Sequence, residues 1–114
     1  MPREYKRAER IGELIRRAVA PLLSELARGH GDGLLSVTSV TVSPDLKNAT
    51  VFVSCLQPQG DARELIRELM RHAGAVRKQV AQATALRFVP SIAIRYDSSM
   101  EDAARMNRLL DSLD

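Results

Sequence analysis

A chain of 114 residues is long enough for one domain with one hydrophobic core. Hydrophobic residues make up 45% of it and charged residues 27%, which is usual for a globular domain and excludes disorder over most of the length. The single cysteine, Cys55, excludes an intramolecular disulfide and a multi-cysteine metal site. Because the sequence holds no apolar segment long enough to span a membrane, and its first residues do not resemble a signal peptide, we expect a cytoplasmic protein.

The formal net charge of +3 is small, but the charges are unevenly distributed. Residues 1–17 hold six basic and three acidic side chains, and residues 71–95 hold five basic and no acidic ones. Residues 97–114 hold five acidic and two basic side chains. The chain is therefore polarised along its sequence, with a basic start, a basic middle and an acidic end. If RNA is the partner, the aromatic content of only 4% points to recognition of its backbone or shape and not to base stacking.

The first predicted element is a helix over residues 6–28, where seven apolar side chains recur at helical spacing. Pro21 lies inside this pattern, so we expect a kink there or an earlier end. The glycine-rich segment 29–33 ends the helix. A strand follows over residues 34–43, and the shift in its apolar alternation around Ser39 predicts a β-bulge.

Turn-forming residues occupy positions 43–48, and a second strand follows over residues 50–56. This strand is apolar on both faces, so we expect it to be central or covered. The two strands should pair as an antiparallel hairpin. Asp61 and Glu64 have the spacing of a capping box and predict the start of a helix.

The helical pattern is interrupted near Ala73-Gly74 and then continues to Arg87, which predicts two helices that meet at a kink. Ser98 and Glu101 predict a second capping box. The final helix that this box opens carries Met106, Leu110 and Leu113. Between the kinked pair and the final helix, a third strand over residues 88–96 has one apolar face, formed by Phe88, Ile92, Ile94 and Tyr96.

Together these elements predict one α+β domain over residues 1–114. It is a two-layer sandwich in which helices cover one face of a three-stranded sheet. We expect residues 1–5 and 112–114 to be flexible.

Basic side chains surround the predicted helix break. Gly74 allows close backbone approach, and the exposed amides of the helix that follows could hold a phosphate. The alternative is that Gly74 merely joins two helices and the basic groups form a solvated face. The basic candidates here are Arg67, Arg71, Arg77 and Lys78.

A second candidate patch lies at the start of the first helix. If that helix extends backward, five basic side chains share one sector of it, and they could contact phosphates. The alternative is an ordinary amphipathic helix with a frayed basic start. The residues are Arg3, Lys6, Arg7, Arg10 and Arg17.

Signals for an enzyme are weak. His30 and His72 lack acidic or cysteine partners at the spacing of metal ligands, so we expect no metal site and no cofactor. The segment 29–33 follows a helix and precedes a strand, so it is a turn and not a phosphate loop. Cys55 is expected to be a buried hydrophobe, and Asp45 and Asp97 to have structural roles in turns or caps.

Three segments resemble the bacterial ribosome-binding factor A family. The first covers residues 40–54, which look like the family's hairpin signature. The second runs from His72 to Arg77 and leads to Leu86-Arg87. The third runs from Val89-Pro90 to Asp97-Ser98-Ser99. With the N-terminal helix, which is similar in pattern only, the resemblance covers nearly the whole chain.

The resemblance implies a KH-like fold of the second topology, without the Gly-x-x-Gly tetrad with which KH domains grip RNA. The family has Ala-x-Gly at the helix break, and here His72 takes the place of the alanine. The implied function is non-catalytic: such proteins bind the free small ribosomal subunit, contact its 16S rRNA, assist late processing and matter most in the cold. The resemblance adds Ala73, Gly74 and Arg87 to the RNA-binding candidates. We further expect a monomer with possible contacts to ribosomal proteins. The alternative is a protein-interaction module of the same fold without direct RNA contact.

Overall fold

The computed structural model describes the backbone of residues 3–113 and the side chains of residues 5–113. Within residues 3–113, four helices and three strands follow the predicted order. Within the described range, none of the helices is long and apolar enough to cross a membrane. The predicted flexibility of both termini falls partly outside these residues and stays a prediction. The elements are α1 (Arg3–His30), β1 (Gly33–Val42), β2 (Asn48–Gln57), α2 (Ala62–Met70), α3 (Ala73–Thr84), β3 (Ser91–Tyr96) and α4 (Ser99–Ser112).

The sheet has the order β1-β2-β3. β1 and β2 form the predicted antiparallel hairpin, and β3 pairs with β2 in parallel. A parallel neighbour requires a crossover connection, which α2 and α3 supply. The prediction that the second strand is central is therefore confirmed. Its alternate residues Ala49, Val51, Val53 and Cys55 are buried in the core.

The predicted β-bulge is present in β1. The register with β2 shifts between Val37 and Ser39, which leaves Thr38 as the extra residue. The Thr38 hydroxyl lies 2.7 Å from Oδ2 of Asp97, the residue that follows β3. This hydrogen bond is the main cause that lowers the pKa of Asp97 below its usual value. The bulge therefore ties one edge strand to the end of the other, and Asp97 has the structural role expected of it.

Helix α1 packs along the sheet and is longer than predicted. It begins at Arg3 and continues past Pro21 to His30, so the expectation of an earlier end at the proline is wrong. Burial explains this, because the side chains that follow the proline at helical spacing, Leu23 and Ala27, are fully enclosed in the core. The helix approaches β1 closely at Gly12, where an added Cβ would lie only 3.0 Å from the Val40 carbonyl oxygen.

The glycine-rich segment after α1 forms a Schellman motif. Gly31 has a φ of 100°. Its amide donates to the Arg28 carbonyl at 3.0 Å, and the Asp32 amide donates to the Ala27 carbonyl at 2.8 Å. The segment is thus a helix stop, as predicted.

The same turn carries a buried carboxylate. Asp32 is 2% exposed and accepts hydrogen bonds from the Gln59 amide at 2.6 Å and from Nδ1 of His30 at 2.7 Å. The hydrogen bond to Asp32 raises the pKa of His30 above its ordinary 6.5. The pair joins the end of α1 to the loop that leads into α2.

The two helices of the crossover meet earlier than predicted. Asp61 caps α2 by accepting a hydrogen bond from the Glu64 amide at 2.9 Å, which confirms this cap. The break lies at Arg71 and His72, so Gly74 belongs to the first turn of α3 and not to the break itself. Helix α3 ends at Thr84 because Ala85 adopts a left-handed conformation with φ of 53°.

Two further predictions are wrong near the C-terminus. Strand β3 begins at Ser91 and not at residue 88, since the buried Pro90 cannot donate to the sheet, and Phe88 is 78% exposed and lies off the core face. Ser98 does not cap α4 with its side chain: its hydroxyl lies 2.9 Å from Oδ2 of Asp102. Glu101 accepts a hydrogen bond from the Tyr96 hydroxyl at 2.8 Å instead. Helix α4 has no buried residue among those described.

The core prediction can be tested by truncation. Leu69 of α2 is fully buried, so we expect Leu69→Ala to lower the free energy of unfolding by about 2–5 kcal/mol. Met106 of α4 is 56% exposed, and Met106→Ala should change it by less than about 0.5 kcal/mol. Urea denaturation measures both. An equal loss in the two variants would show that α4 is packed.

The His30–Asp32 pair predicts a pH dependence. A raised pKa in the folded state means that protonated His30 stabilises the fold at pH values below its unfolded pKa of 6.5, and that this contribution is lost as the pH rises through the folded pKa. We expect His30→Gln to lower the free energy of unfolding at about pH 5.5, with the difference from wild type shrinking towards about pH 9. A difference that stays constant across this range would contradict the ion pair.

Candidate nucleic-acid interface

The predicted basic residues separate along α1. Residues that follow α3 lie beside Arg7 at the start of α1, whereas residues of α2 lie beside His30 at its end. Helix α3 packs against α1 and therefore runs back along it. Since α1 has 28 residues and rises about 1.5 Å per residue, its two ends are about 40 Å apart. The candidates form one group at each end, with Arg17, Arg77 and Lys78 between the two groups.

At the start of α1, three chain segments enclose a cavity of about 340 Å³. Arg7 comes from α1, Lys47 from the β1–β2 turn, and Arg87 and Phe88 from the α3–β3 connection. We call this site the basic pocket. Its apolar lining is formed by three partly buried side chains that also pack on the core: Leu46, Leu86 and Val89.

Hydrogen bonds within the β1–β2 turn position Lys47. Oδ1 of Asp45 accepts from the Ser43 hydroxyl at 2.7 Å and from the Lys47 amide at 3.0 Å. These bonds, that from Ser43 first, lower the pKa of Asp45, whose expected structural role in the turn is confirmed. The Lys47 carbonyl accepts from the Ser91 amide at 2.8 Å, which fastens the turn to the start of β3.

The α3–β3 connection positions Arg87 and Phe88. The left-handed Ala85 ends α3, so Arg87 lies in the connection and not in the helix that was predicted to reach it. The Arg87 guanidinium carbon lies 5.5 Å from the centroid of the Phe88 ring, within the range of a cation–π contact. Leu46 on the opposite side of the pocket also has a positive φ, of 63°. Each such residue costs about 1–2 kcal/mol of steric strain, as does Leu34 at the start of β1, which lies outside this pocket.

The first turn of α3 is open to solvent. Its N-cap, His72, forms no side-chain cap hydrogen bond to any part of the chain that the structure describes. Arg77 and Lys78, one turn further on, are exposed. Apart from its chain neighbours and the backbone of its own helix, a Cβ built on Gly74 meets no described atom within 4 Å, and Gly74 has helical backbone without a positive φ. Packing within the protein therefore does not require a glycine at this position.

The group at the far end of α1 is partly neutralised by acidic residues. Arg71 forms an ion pair with Glu68 at 3.4 Å. Arg67 lines a cleft of about 220 Å³ together with His30, Glu64 and Glu68. Arg67 also borders an open groove of about 560 Å³ between α2 and β3, where Ile66, Met70 and Ile94 supply apolar surface.

The basic candidates of the N-terminal helix also divide into exposed side chains and one that contacts an acidic residue. The described helix does extend backward past residue 6, which meets the condition for the predicted patch. Lys6, Arg7 and Arg10 are exposed. Arg17 instead contacts Oε1 of Glu13 at 3.3 Å, and a hydrogen bond from Arg16 lowers the pKa of Glu13 to about 2. The Arg3 side chain lies outside the described residues.

The predicted basic residues differ in whether they form an ion pair within the protein. Among side chains 5–113, the ion pairs include Arg17 and Arg71 but none of the following basic residues: Lys6, Arg7, Arg10, Lys47, Arg67, Arg77, Lys78 and Arg87. Among the predicted candidates, the side chains at the basic pocket and along α3 are thus available to an external anion, and so is Arg67 at the far end of α1. Over the same described residues, no group of three His, Cys, Asp or Glu side chains could hold a metal ion.

Two members of the basic pocket, Lys47 and Phe88, were not predicted from the sequence. Lys47 was assigned only to a turn, although turn residues commonly carry binding groups. Phe88 was assigned to the core face of a strand. The proline two positions later was the available signal that the strand starts after it.

The fold and the pocket define a class: an α+β domain with a three-stranded mixed sheet, a helix-pair crossover and an unpaired basic surface. A family model described as ribosome-binding factor A matches residues 7–110. The ribosome-binding factor A of Coxiella burnetii (strain RSA 493 / Nine Mile phase I) is 39% identical over 106 residues, which are 93% of this chain and 88% of that protein. That of Halothermothrix orenii is 35% identical over 105 residues, covering 92% and 86%. The chain belongs to the ribosome-binding factor A family.

Solved structures show the same fold. The crystal structure of ribosome-binding factor A from Thermus thermophilus superposes with a TM-score of 0.58 at 21% identity, covering 76% of this chain and 92% of that one. The solution structure of a Thermotoga maritima protein described as a putative ribosome binding factor A gives 0.54 at 23% identity, covering 82% and 89%. The expected KH-like fold is confirmed.

The open surroundings of Gly74 give a stability prediction. A helical glycine is less favourable than alanine by about 0.5–1 kcal/mol, so Gly74→Ala should raise the free energy of unfolding by up to that amount. Urea denaturation tests it. A loss of stability would show that the first turn of α3 packs against the protein.

Proposed function

We propose that this protein is a non-catalytic ribosome assembly factor that binds the free small ribosomal subunit through its 16S rRNA and assists late maturation and rRNA processing. The observation that carries the proposal is the convergence of Arg7, Lys47 and Arg87 from three chain segments, with Arg77 and Lys78 exposed along the adjoining helix. Side chains that lack internal acidic partners are available to neutralise phosphates.

The mechanism is an electrostatic clamp. The basic pocket and α3 contact phosphates on neighbouring stretches of rRNA and hold them in one arrangement while maturation proceeds. The uncapped first turn of α3 offers backbone amides to a phosphate, and Gly74 lets the RNA backbone approach closely. Such contacts fix the position of the protein on RNA without reading sequence.

The family supports the same partner. A homology model of the Thermus thermophilus ribosome binding factor A, fitted into the cryo-EM map of a 30S complex of that protein, has a TM-score of 0.56 to this chain at 18% identity, covering 75% of this chain and 93% of that one. By analogy we place this chain in the cytoplasm as a monomer on the free small subunit, with its main importance in the cold. Arg67 and Arg71 are secondary contacts in this proposal because acidic side chains surround them.

The groove between α2 and β3 favours a second candidate function. Its apolar side chains, Ile66, Met70 and Ile94, suit a protein segment better than they suit a phosphate chain, although three arginines also line it: Arg63, Arg67 and Arg95. In this alternative the domain docks a protein, such as a ribosomal protein, without direct RNA contact. Binding would then depend little on salt.

Charge reversal tests the clamp. Arg77 and Lys78 are exposed, so the double variant Arg77→Glu/Lys78→Glu should fold normally and bind the small subunit at least tenfold more weakly in co-sedimentation. The matched control is Arg105→Glu/Arg108→Glu on the exposed α4, which carries the same change in net charge and should bind as wild type. Equal weakening in both variants would reduce the effect to net charge, and unchanged binding in the first would contradict the proposed face.

The salt dependence of the same assay separates the two candidate functions. For an electrostatic clamp, log K should fall linearly with log salt by about 0.7–0.9 per phosphate neutralised. The α3 double variant should reduce that slope by about 1.4–1.8 if both side chains contact phosphates. A flat response in the wild-type protein would favour the protein-docking alternative.

A further inference from the structure

Phe88 is an aromatic side chain placed where RNA is proposed to bind. It is 78% exposed, although Pro90, two residues later, is fully buried and Leu86 and Val89 pack on the core. One exposed apolar residue is ordinary in a protein surface and needs no explanation by itself. What distinguishes Phe88 is its surroundings, because the ring lines the basic pocket with Arg7, Lys47 and Arg87.

We propose that Phe88 and Arg87 form a stacking platform for one unpaired base, whose flanking phosphates are held by Arg7 and Lys47. This inference rests on the proposed function and deepens it, because it makes the basic pocket a site for a single-stranded nucleotide. Sequence-independent binding of single strands combines these two elements, a basic surface that follows the backbone and an aromatic ring on which a base stacks.

The contact between Arg87 and Phe88 prepares the ring for stacking. The guanidinium lies over one face of the ring, with its carbon 5.5 Å from the centroid. Because the side chain is nevertheless 78% exposed, the opposite face must be largely open. A base on that face would complete a stack of guanidinium, ring and base. Both the aromatic ring and the guanidinium plane are surfaces on which proteins stack RNA bases.

The size and charge of the pocket fit one nucleotide. Its volume of about 340 Å³ is near the lower end of the range of about 300–1,000 Å³ for small-molecule sites, too small for a double helix. Three basic side chains and one acidic side chain, Asp45, line it, so the pocket has a net positive charge. The Asp45 carboxylate is engaged by the turn itself, through Ser43 and the Lys47 amide.

The backbone around the platform contains strained residues and is held by a hydrogen bond between two segments, as is common at binding sites. The left-handed Ala85 precedes it and the left-handed Leu46 lies across the pocket. The bond from the Ser91 amide to the Lys47 carbonyl joins the two segments. The two backbone segments that carry Phe88 and Lys47 are thereby joined before any RNA binds, which lowers the entropic cost of bringing them together.

The experiment uses two variants of the full chain. Phe88→Leu keeps an apolar side chain but removes the ring, and Phe88→Trp keeps a stacking surface. Both should retain the wild-type melting temperature because the side chain is exposed. The probes are the free small subunit and a single-stranded RNA hexanucleotide that contains one 2-aminopurine, whose fluorescence is quenched by stacking.

We expect the wild type and Phe88→Trp to quench the probe at saturation and Phe88→Leu to leave it bright. Phe88→Leu should bind the small subunit about 5- to 150-fold more weakly, the loss for one stacked base. Subunit binding by Phe88→Leu that equals wild type would overturn the platform while leaving the clamp intact, since the Arg77/Lys78 variant tests the clamp separately. Weaker subunit binding by Phe88→Leu with no quenching by the wild type would also overturn it and would assign Phe88 to a protein contact.

Discussion

The parallel pairing of β3 with β2 is the constraint on which the candidate site depends. In a parallel pair both strands begin at the same edge, so the segments that precede them must lie side by side. Here Asn48 pairs with Ser91, and the hydrogen bond from Ser91 to Lys47 continues the contact into the two connections. Lys47 and Arg87 are 40 positions apart in the chain, yet this register brings both to one pocket. The crossover through α2 and α3 also returns the chain to the start of α1, where Arg7 completes the basic wall.

The distribution of acidic residues then decides which cations remain available. Glu13 forms ion pairs with Arg16 and Arg17, and Glu68 forms one with Arg71, so these basic side chains are paired with residues one helical turn away. Exposed ion pairs of this kind add little stability, but they do reduce the positive potential around them. Beyond His72, the described side chains of the acid-free segment 71–95 form no ion pair, and the one acidic residue that lines the basic pocket, Asp45, is engaged by its own turn. In the middle of the chain, the segment without acidic residues is therefore also a surface with few ion pairs. Elsewhere, some basic side chains that look available in the sequence are paired with acidic ones in the folded protein.

Features of the fold that depend on residues close together in the sequence could be predicted. The bulge near Ser39 was evident because a change of apolar phase within one strand has few other causes, and the central position of β2 followed from its apolar character on both faces. The end of α3 could not be predicted, because Ala85 is a strong helix former that is left-handed here for reasons of tertiary structure. Its conformation moved Phe88 out of the expected strand and into the pocket. Of the side chains that define the basic pocket, Arg7 and Arg87 were predicted as binding residues from the sequence. The place of Lys47 in the pocket could not be predicted, because it depends on the register between β2 and β3.

Leu46 and Ala85, two of the three non-glycine residues with a positive φ in the described chain, show how the fold supports this arrangement. A glycine would adopt the same conformation without the steric cost, but at position 46 it would also remove a side chain that packs on the core and lines the pocket. The partial burial of the Leu46 side chain therefore offsets the strain in its backbone, as long as the turn keeps its conformation. Ala85 has no comparable side-chain burial, since it is exposed, but the connection that follows it packs on the core, with Pro90 fully buried and Leu86 and Val89 partly buried. The chain leaves the helix at residue 85, and this connection has Arg87 and Phe88 on the outside. The exposed ring and its cation are thus a consequence of how the connection is anchored, through the packing of the residues on either side of them.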